Sequence, residues 1–202
     1  MRISKIETQK RHADRVSVFI DGAFRFGLSK SLALKYDLVE DREITEAEIE
    51  TVLYQEEKEK IRERAFRLLG FRDRSVQEMR ERLLRLGYDA ARVEETIAEL
   101  VADQTLDDRR FSRAFTDDYT NLKPKGNQFL RRELKHKKVA AEIIEEVAGG
   151  RDEKALIRRL IATKLGRFDR LNPKQRQKIV RYLAYRGFAL GNILDILRDR
   201  DE

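Results

Sequence analysis

The chain has 202 residues, 40% of them charged and 41% hydrophobic, with a net charge of +7, two prolines and no cysteine. The lack of cysteine excludes a disulfide framework and a thiolate metal site, and no apolar run approaches the roughly 20 residues needed to span a bilayer. Residues 1–10 lack the apolar centre of a signal peptide, so a soluble cytoplasmic protein with one large or two small cores is expected.

The first 28 residues read as β-structure. Val16, Val18 and Ile20 alternate with polar residues, Asp21-Gly22 offers a two-residue type I′ turn, and Phe24, Phe26 and Leu28 alternate again. Ile3 to Gln9 suits a third strand. A cap packed on the first helices is the expected role of this sheet. Ser29 to Tyr36 suits a short helix. Thr45 and Glu48 form a capping box ahead of Ile49, Val52 and Leu53, and the helical pattern runs on to Leu69. Its middle, Gln55 to Lys60, is wholly polar, which predicts a long solvated connecting helix held by pairs such as Glu56 and Lys60.

Ser75 and Glu78 open another capping box. Met79, Leu83 and Leu86 mark one helix, Gly87 a left-handed stop, and Val93, Ile97 and Leu100 a second helix. The pattern recurs. Shifted by one hundred positions, Met79, Leu83, Gly87, Tyr88, Val93 and Ile97 meet Ile179, Leu183, Gly187, Phe188, Ile193 and Leu197. Shifted by fifty-one, Met79, Leu83 and Tyr88 meet Leu130, Leu134 and Val139, and one residue of slack brings Val93 and Ile97 to Ile143 and Val147. Each copy has a helical lead, at Ala65-Phe66, Ala114-Phe115 and Ala155-Leu156.

Three divergent three-helix units of roughly forty to fifty residues follow, the size at which repeats stack into arrays. The expected fold is mainly α: an N-terminal β-hairpin region with a short helix (1–44), a connecting helix (45–64), and repeats at 65–105, 106–150 and 151–202 forming an elongated curved array. Within repeat two, Phe111, Phe115 and Tyr119 should pack inward, and Lys123-Pro124-Lys125-Gly126 should break the helix. A basic loop is expected before Pro173.

Charge is unevenly placed. Residues 1–64 carry 13 basic and 14 acidic side chains, and residues 65–100 seven of each. Residues 123–138 carry seven basic against one acidic, and residues 154–186 eleven against one. This localised positive field points to a polyanionic partner, nucleic acid or an acidic protein surface. In repeat two, Arg131, Lys135 and Lys138 share a helix face at i, i+4, i+7, with Arg132 and Lys137 beside it and Lys125 just before. In repeat three, Lys174, Lys178 and Arg181 share another, closed by Arg186. The two faces are expected at equivalent places in consecutive repeats, giving an extended surface suited to a filament or strand.

A catalytic constellation is not evident. His12 and His136 sit in polar, basic surroundings, and neither a phosphate-cradling loop nor metal-ligand spacing is found. Asp107-Asp108 and Asp117-Asp118 are paired carboxylates able to bind Mg²⁺, but capping and solvation account for them. No enzyme, cofactor or metal is expected.

Several stretches together resemble the RecX regulatory proteins of bacterial recombination. They are Ser75-Val76-Gln77-Glu78-Met79 with Leu83 and Gly87; Leu106-Asp107-Asp108-Arg109-Arg110-Phe111; Lys125-Gly126 ahead of Glu133-Leu134 and Lys138-Val139; and Tyr182-Leu183-Ala184-Tyr185-Arg186-Gly187-Phe188. The resemblance covers residues 65 to about 198. It departs from the family at Lys138, where a glycine is common, and in the N-terminal hairpin, since the shortest members are almost wholly helical. It implies three tandem three-helix units and a protein that lodges in the groove of the RecA–single-stranded DNA filament. Such a protein inhibits RecA ATPase, strand exchange and coprotease activity, and some members bind DNA directly.

The expected partner is therefore the RecA filament, with single- or double-stranded DNA beside it, no membrane, and a monomeric chain. Lys125, Arg131, Arg132, Lys135, Lys138, Lys174, Lys178, Arg181 and Arg186 are the candidate contacts. A non-specific DNA-binding protein that masks its substrate is the alternative, and a passive helical scaffold a third.

Overall fold

The computed structural model describes residues 1–164 and 172–198; the basic loop expected before Pro173 lies outside them. The chain divides into two compact units, Met1–Phe71 with Arg82–Leu100, and Arg72–Glu81 with the residues from Val101 onward.

In the first unit, β1 (Ile3–Gln9), β2 (His12–Ile20) and β3 (Ala23–Ser29) form an antiparallel sheet in the order β1-β2-β3. The β2–β3 turn has Asp21 at φ 50° and Gly22 at φ 84°, the two left-handed residues a type I′ turn requires. The edge of β1 is covered: Ile3 N–H donates to the Arg42 carbonyl at 2.9 Å, Asp41 N–H to the Ile3 carbonyl at 2.9 Å, and Ile6 N–H to Glu40 at 3.0 Å. Helix α1 (Lys30–Lys35) starts from Ser29, whose hydroxyl accepts from Leu32 N–H. Helix α2 (Glu46–Leu69) starts from the Thr45–Glu48 capping box. The sheet, α1 and the start of α2 share one core of Ile3, Val18, Leu28, Leu32, Ile49 and Val52 with their neighbours.

The middle of α2 is not the solvated rod its composition suggests. Glu56 is only 2% exposed; it accepts from Ser29 N–H at 2.9 Å and pairs with Arg15 at 2.7 Å. Tyr54, Glu57 and Lys58 meet helix α4 (Ala90–Ala102) instead of water. Tyr54 donates to Glu95, Arg92 pairs with Glu57, and Lys58 pairs with Glu99 at 2.6 Å. A polar segment reads as solvated only when its charges have no partners elsewhere, and partners distant in sequence are invisible to a local pattern.

Helix α3 (Val76–Arg85) begins from Ser75, whose hydroxyl accepts from Glu78 N–H at 3.1 Å. In the second unit follow α5 (Asp108–Asn121), α6 (Asn127–His136), α7 (Ala141–Gly149), α8 (Glu153–Lys164), α9 (Pro173–Tyr185) and α10 (Leu190–Arg198). Three tandem three-helix repeats result. Phe111, Leu134, Val139, Ile144 and Val147 form the core of the second; Leu156, Leu160, Ile179, Leu183, Phe188, Ile193 and Leu197 belong to that of the third. The middle helix of each repeat stops on a left-handed residue: Gly87 at φ 87°, Lys138 at φ 58° and Gly187 at φ 82°.

Candidate nucleic-acid and protein interface

Two of the candidate residues, Lys125 and Arg186, meet at a joint at which α9 ends against the start of α6. Gly126 N–H donates to the Arg186 carbonyl at 3.0 Å and Gln128 N–H to the Gly187 carbonyl at 3.1 Å. Arg186 donates from Nε to the Pro124 carbonyl at 2.9 Å and from Nη1 to the Tyr182 hydroxyl at 2.8 Å. Arg151 pins the same segment, donating to the carbonyls of Lys125 and Tyr119 at 3.0 and 3.1 Å and to Asn127 Oδ1 at 3.0 Å. Burial holds its pKa below the usual arginine value, with Glu153 opposing.

Glu153, at the first position of α8, is 5% exposed. Its carboxylate accepts from Asn127 N–H at 2.6 Å, Ala189 N–H at 3.2 Å and Asn192 Nδ2 at 2.7 Å. One side chain thus serves the N-termini of both α6 and α10, filling donors that helix starts leave unmet.

The same joint occurs one repeat earlier. Ser75 Oγ donates to the Lys137 carbonyl at 3.3 Å, and Asp108, first in α5, accepts from Val76 N–H at 2.9 Å. Burial raises the Asp108 carboxyl above its usual value, while the Val76 N–H lowers it. Asp107 caps its own helix, accepting from Arg109 and Arg110 N–H at 2.7 and 3.1 Å. The Asp107-Asp108 pair is therefore committed to two helix starts. Asp117 and Asp118 are exposed, as are His12 and His136.

The two basic faces are not equivalent, and this corrects the sequence expectation. Superposing the left-handed stops, Lys138 on Gly187, pairs Lys174, Lys178 and Arg181 with Lys125, Phe129 and Arg132. Arg131, Lys135 and Lys138 fall instead on Val180, Ala184 and Gly187. Counted from the buried Leu130 and Ile179, Lys174, Lys178, Arg181 and Arg132 lie on one flank of the core stripe and Arg131 and Lys135 on the other, while Lys125 precedes α6 and Lys138 follows it. Two i, i+4, i+7 triads look alike in sequence whichever flank they occupy; the core residue between them sets the phase.

The candidates have different surroundings. Arg131 holds Glu145 through Nε at 2.9 Å and Nη2 at 2.8 Å, tying α6 to α7. That bond raises the arginine pKa and lowers that of Glu145. Arg186 belongs to the joint. Lys125 and Arg132 lie 4.8 and 5.4 Å from the centre of the Phe129 ring, and Arg132 also pairs with Glu133 at 3.2 Å. Burial, then Arg186 and Arg132, lower the Lys125 pKa, with Glu133 opposing. Lys135, Lys138, Lys174, Lys178 and Arg181 are exposed.

Two aromatic features go beyond the sequence reading, which gave Tyr185 no role and expected Phe111, Phe115 and Tyr119 only to pack inward. Tyr185 is 88% exposed and continues the α9 basic stripe, four residues after Arg181 and seven after Lys178; that spacing was the available signal. Phe111, Phe115, Tyr119 and Phe129 form a ladder with ring centres 5.8, 4.7 and 4.9 Å apart. Only Phe111 is buried as expected; Phe115 and Tyr119 are half-exposed. Lys137 lies 5.7 Å from the rings of both Phe111 and Phe115 and pairs with Glu78.

The sequence matches four domain models in order: the regulatory protein RecX N-terminal domain at residues 1–45, and the first, second and third three-helix domains of RecX at 62–100, 107–147 and 152–197. It is 28% identical to a regulatory protein RecX of Bacillus licheniformis over 98% of this chain and 77% of that one. It is 30% identical to that of Bacillus velezensis over 71% of this chain and 55% of that one, and 26% identical to that of Clostridioides difficile over 99% and 97%. The chain thus spans about half the length of some relatives and nearly all of others. A crystal structure of regulatory protein RecX has the same fold, with a TM-score of 0.76 at 21% identity over 98% of both chains. That of RecX from Lactobacillus salivarius gives 0.60 at 18% identity over 72% of this chain and 97% of that one.

Proposed function

This chain belongs to the RecX family of regulatory proteins, and from that premise we propose that it binds the RecA recombinase and its filament on single-stranded DNA. It inhibits ATPase, strand-exchange and coprotease activities there, and so modulates recombination and the SOS response. The run of four RecX domains through the chain carries the reading. The basic side chains of α6 and α9 support it, because a nucleoprotein filament presents phosphate and acidic protein surface to any cationic face laid against it. In this reading Lys125, Arg132, Lys174, Lys178 and Arg181 make one contact face, and Lys135 and Lys138 a second. Arg131 and Arg186 act by holding α6 in place between them.

RecA ATPase on single-stranded DNA, titrated with this protein, tests the proposal. Inhibition well below one protein per RecA protomer is expected, because a regulator of the filament need not cover every protomer. The alternative is a helical DNA-binding protein that masks its substrate, which the exposure of Lys174, Lys178 and Arg181 favours. It predicts inhibition only when the DNA is stoichiometrically covered, and relief by added DNA.

A further inference from the structure

Tyr185 stands out among the exposed apolar side chains because its surroundings are cationic. At 88% exposure it leaves nearly the whole phenol ring in water, which folding alone does not require of a residue of this size. On α9 it lies on the flank that carries Lys174, Lys178 and Arg181, all exposed. The helix ends immediately after it against the start of α6, where Lys125 lies just ahead of the helix and Arg132 occupies the matching flank. The two helices have 13 and 10 residues, about 20 and 15 Å at the α-helical rise.

The joint also concentrates positive charge. Lys125 and Arg132 share the ring of Phe129, at 4.8 and 5.4 Å from its centre. Phe129 itself presses on the α9 stop, its Cβ lying 2.6 Å from where a Gly187 side chain would begin. Lys125 is crowded by the positive charges of Arg186 and Arg132, with Glu133 as the opposing acid. An anion placed on this face relieves that repulsion.

We propose that Lys174, Lys178, Arg181 and Tyr185 of α9, continued by Lys125 just ahead of α6 and by Arg132 within it, form a track for single-stranded nucleic acid, in which a base stacks on the Tyr185 ring. The inference deepens the proposed function, and rests on it only in taking this face as the contact face. Phosphates lie along the lysines and arginines, whose charges suit any polyanion. The exposed ring selects among them: a base in a duplex is stacked on its neighbours and has no free face, whereas an unpaired base has one. An acidic protein surface would satisfy the charges but leave the ring without its partner.

The test is anisotropy of a labelled oligothymidylate with the intact chain, beside an abasic strand and a duplex of the same length. Tyr185→Phe is expected to bind as the parent does, and Tyr185→Leu about ten-fold more weakly, the effect of losing one stacked base. The abasic strand is expected to bind with the weaker affinity and to be indifferent to Tyr185→Leu. Combined Lys174→Glu, Lys178→Glu and Arg181→Glu should abolish binding, while single Lys174→Gln should lower the salt slope by about 0.7, the value per phosphate on a single strand. Helicity by circular dichroism confirms that each variant is folded. Equal affinity for intact and abasic strands, no effect of Tyr185→Leu, or competition by polyglutamate as effective as by the strand would each overturn the proposal. No recombinase is present, so failure here leaves RecA inhibition standing, and loss of RecA inhibition leaves this result standing.

Discussion

Gly126 and Gly187 meet backbone to backbone: a Cβ on Gly126 would lie 2.1 Å from the Gly187 carbonyl oxygen. Gly126 has φ −75°, a conformation open to any residue, so the requirement for glycine is one of space alone. Gly126→Ala must push α9 away from α6, and a loss of about 3 kcal/mol or more is expected from forced overpacking. Gly87→Ala is the control. It has φ 87° with nothing within 4 Å of the added atom, and should cost only about 1 kcal/mol, from the left-handed backbone. Urea denaturation midpoints at constant m decide between them.

Lys138 has φ 58°, while Gly87 and Gly187 occupy the matching stops. Relief of the left-handed penalty outweighs the added freedom of the unfolded chain, so Lys138→Gly should stabilise by about 0.5–1 kcal/mol. The same change removes one exposed positive charge. A rise in the thermal midpoint with unchanged RecA inhibition would separate a conformational role from a contact role. A fall in stability would mean that the side chain compensates for its backbone.

Glu78 links acid stability to the earlier joint. Burial raises its pKa, but the hydrogen bonds from Arg72 and Lys137 and their charges outweigh this and leave the carboxyl below its ordinary value of 4.5. A depressed folded pKa stabilises the protein above the unfolded value and is lost as pH falls through the folded one. Stability should therefore decline below about pH 4.5, and Glu78→Gln should flatten that decline while lowering stability at pH 7. Chemical denaturation between these pH values measures both. An unchanged acid limb in the variant would remove Glu78 from the account.

Basic residues of similar sequence context should divide into two classes. Combined Lys174→Glu, Lys178→Glu and Arg181→Glu should weaken RecA inhibition with little change in helicity, because all three are exposed. Arg186→Ala should lower the thermal midpoint, because it removes the bonds to Pro124 and Tyr182. If reversal of the exposed three leaves inhibition intact at physiological salt, the α9 face is not the contact.

The three-repeat fold was legible because each repeat buries the same sparse set, such as Leu83, Leu134 and Leu183, and core positions keep their period when surfaces diverge. Turn and cap chemistry was equally legible at Asp21-Gly22, Thr45–Glu48 and Ser75–Glu78, where the responsible groups lie within a few residues. What failed was long-range. Glu56 is buried by Arg15 and Ser29, and Asp108 caps a helix 32 residues earlier; neither leaves a local trace. In the site, the basic residues were found by composition, but their grouping into faces was not. The reason is that a triad's phase is fixed by Leu130 or Ile179, not by the spacing of its own members. Tyr185 lies at helical spacing from Lys178 and Arg181, but its exposure is not written in that spacing.

Glu153 has a consequence for how the molecule comes apart. By sequence it opens the third repeat, yet its carboxylate holds the first amides of α6 in the second as well as of α10 in the third. Neither helix can fray without disturbing a group the other shares, so the border between these repeats in sequence is not a border of cooperativity. Backbone amides at Asn127 and Ala189 should exchange with deuterium at one common rate and respond together to denaturant, as parts of a single unfolding unit. A stack of independent modules would release them one after the other.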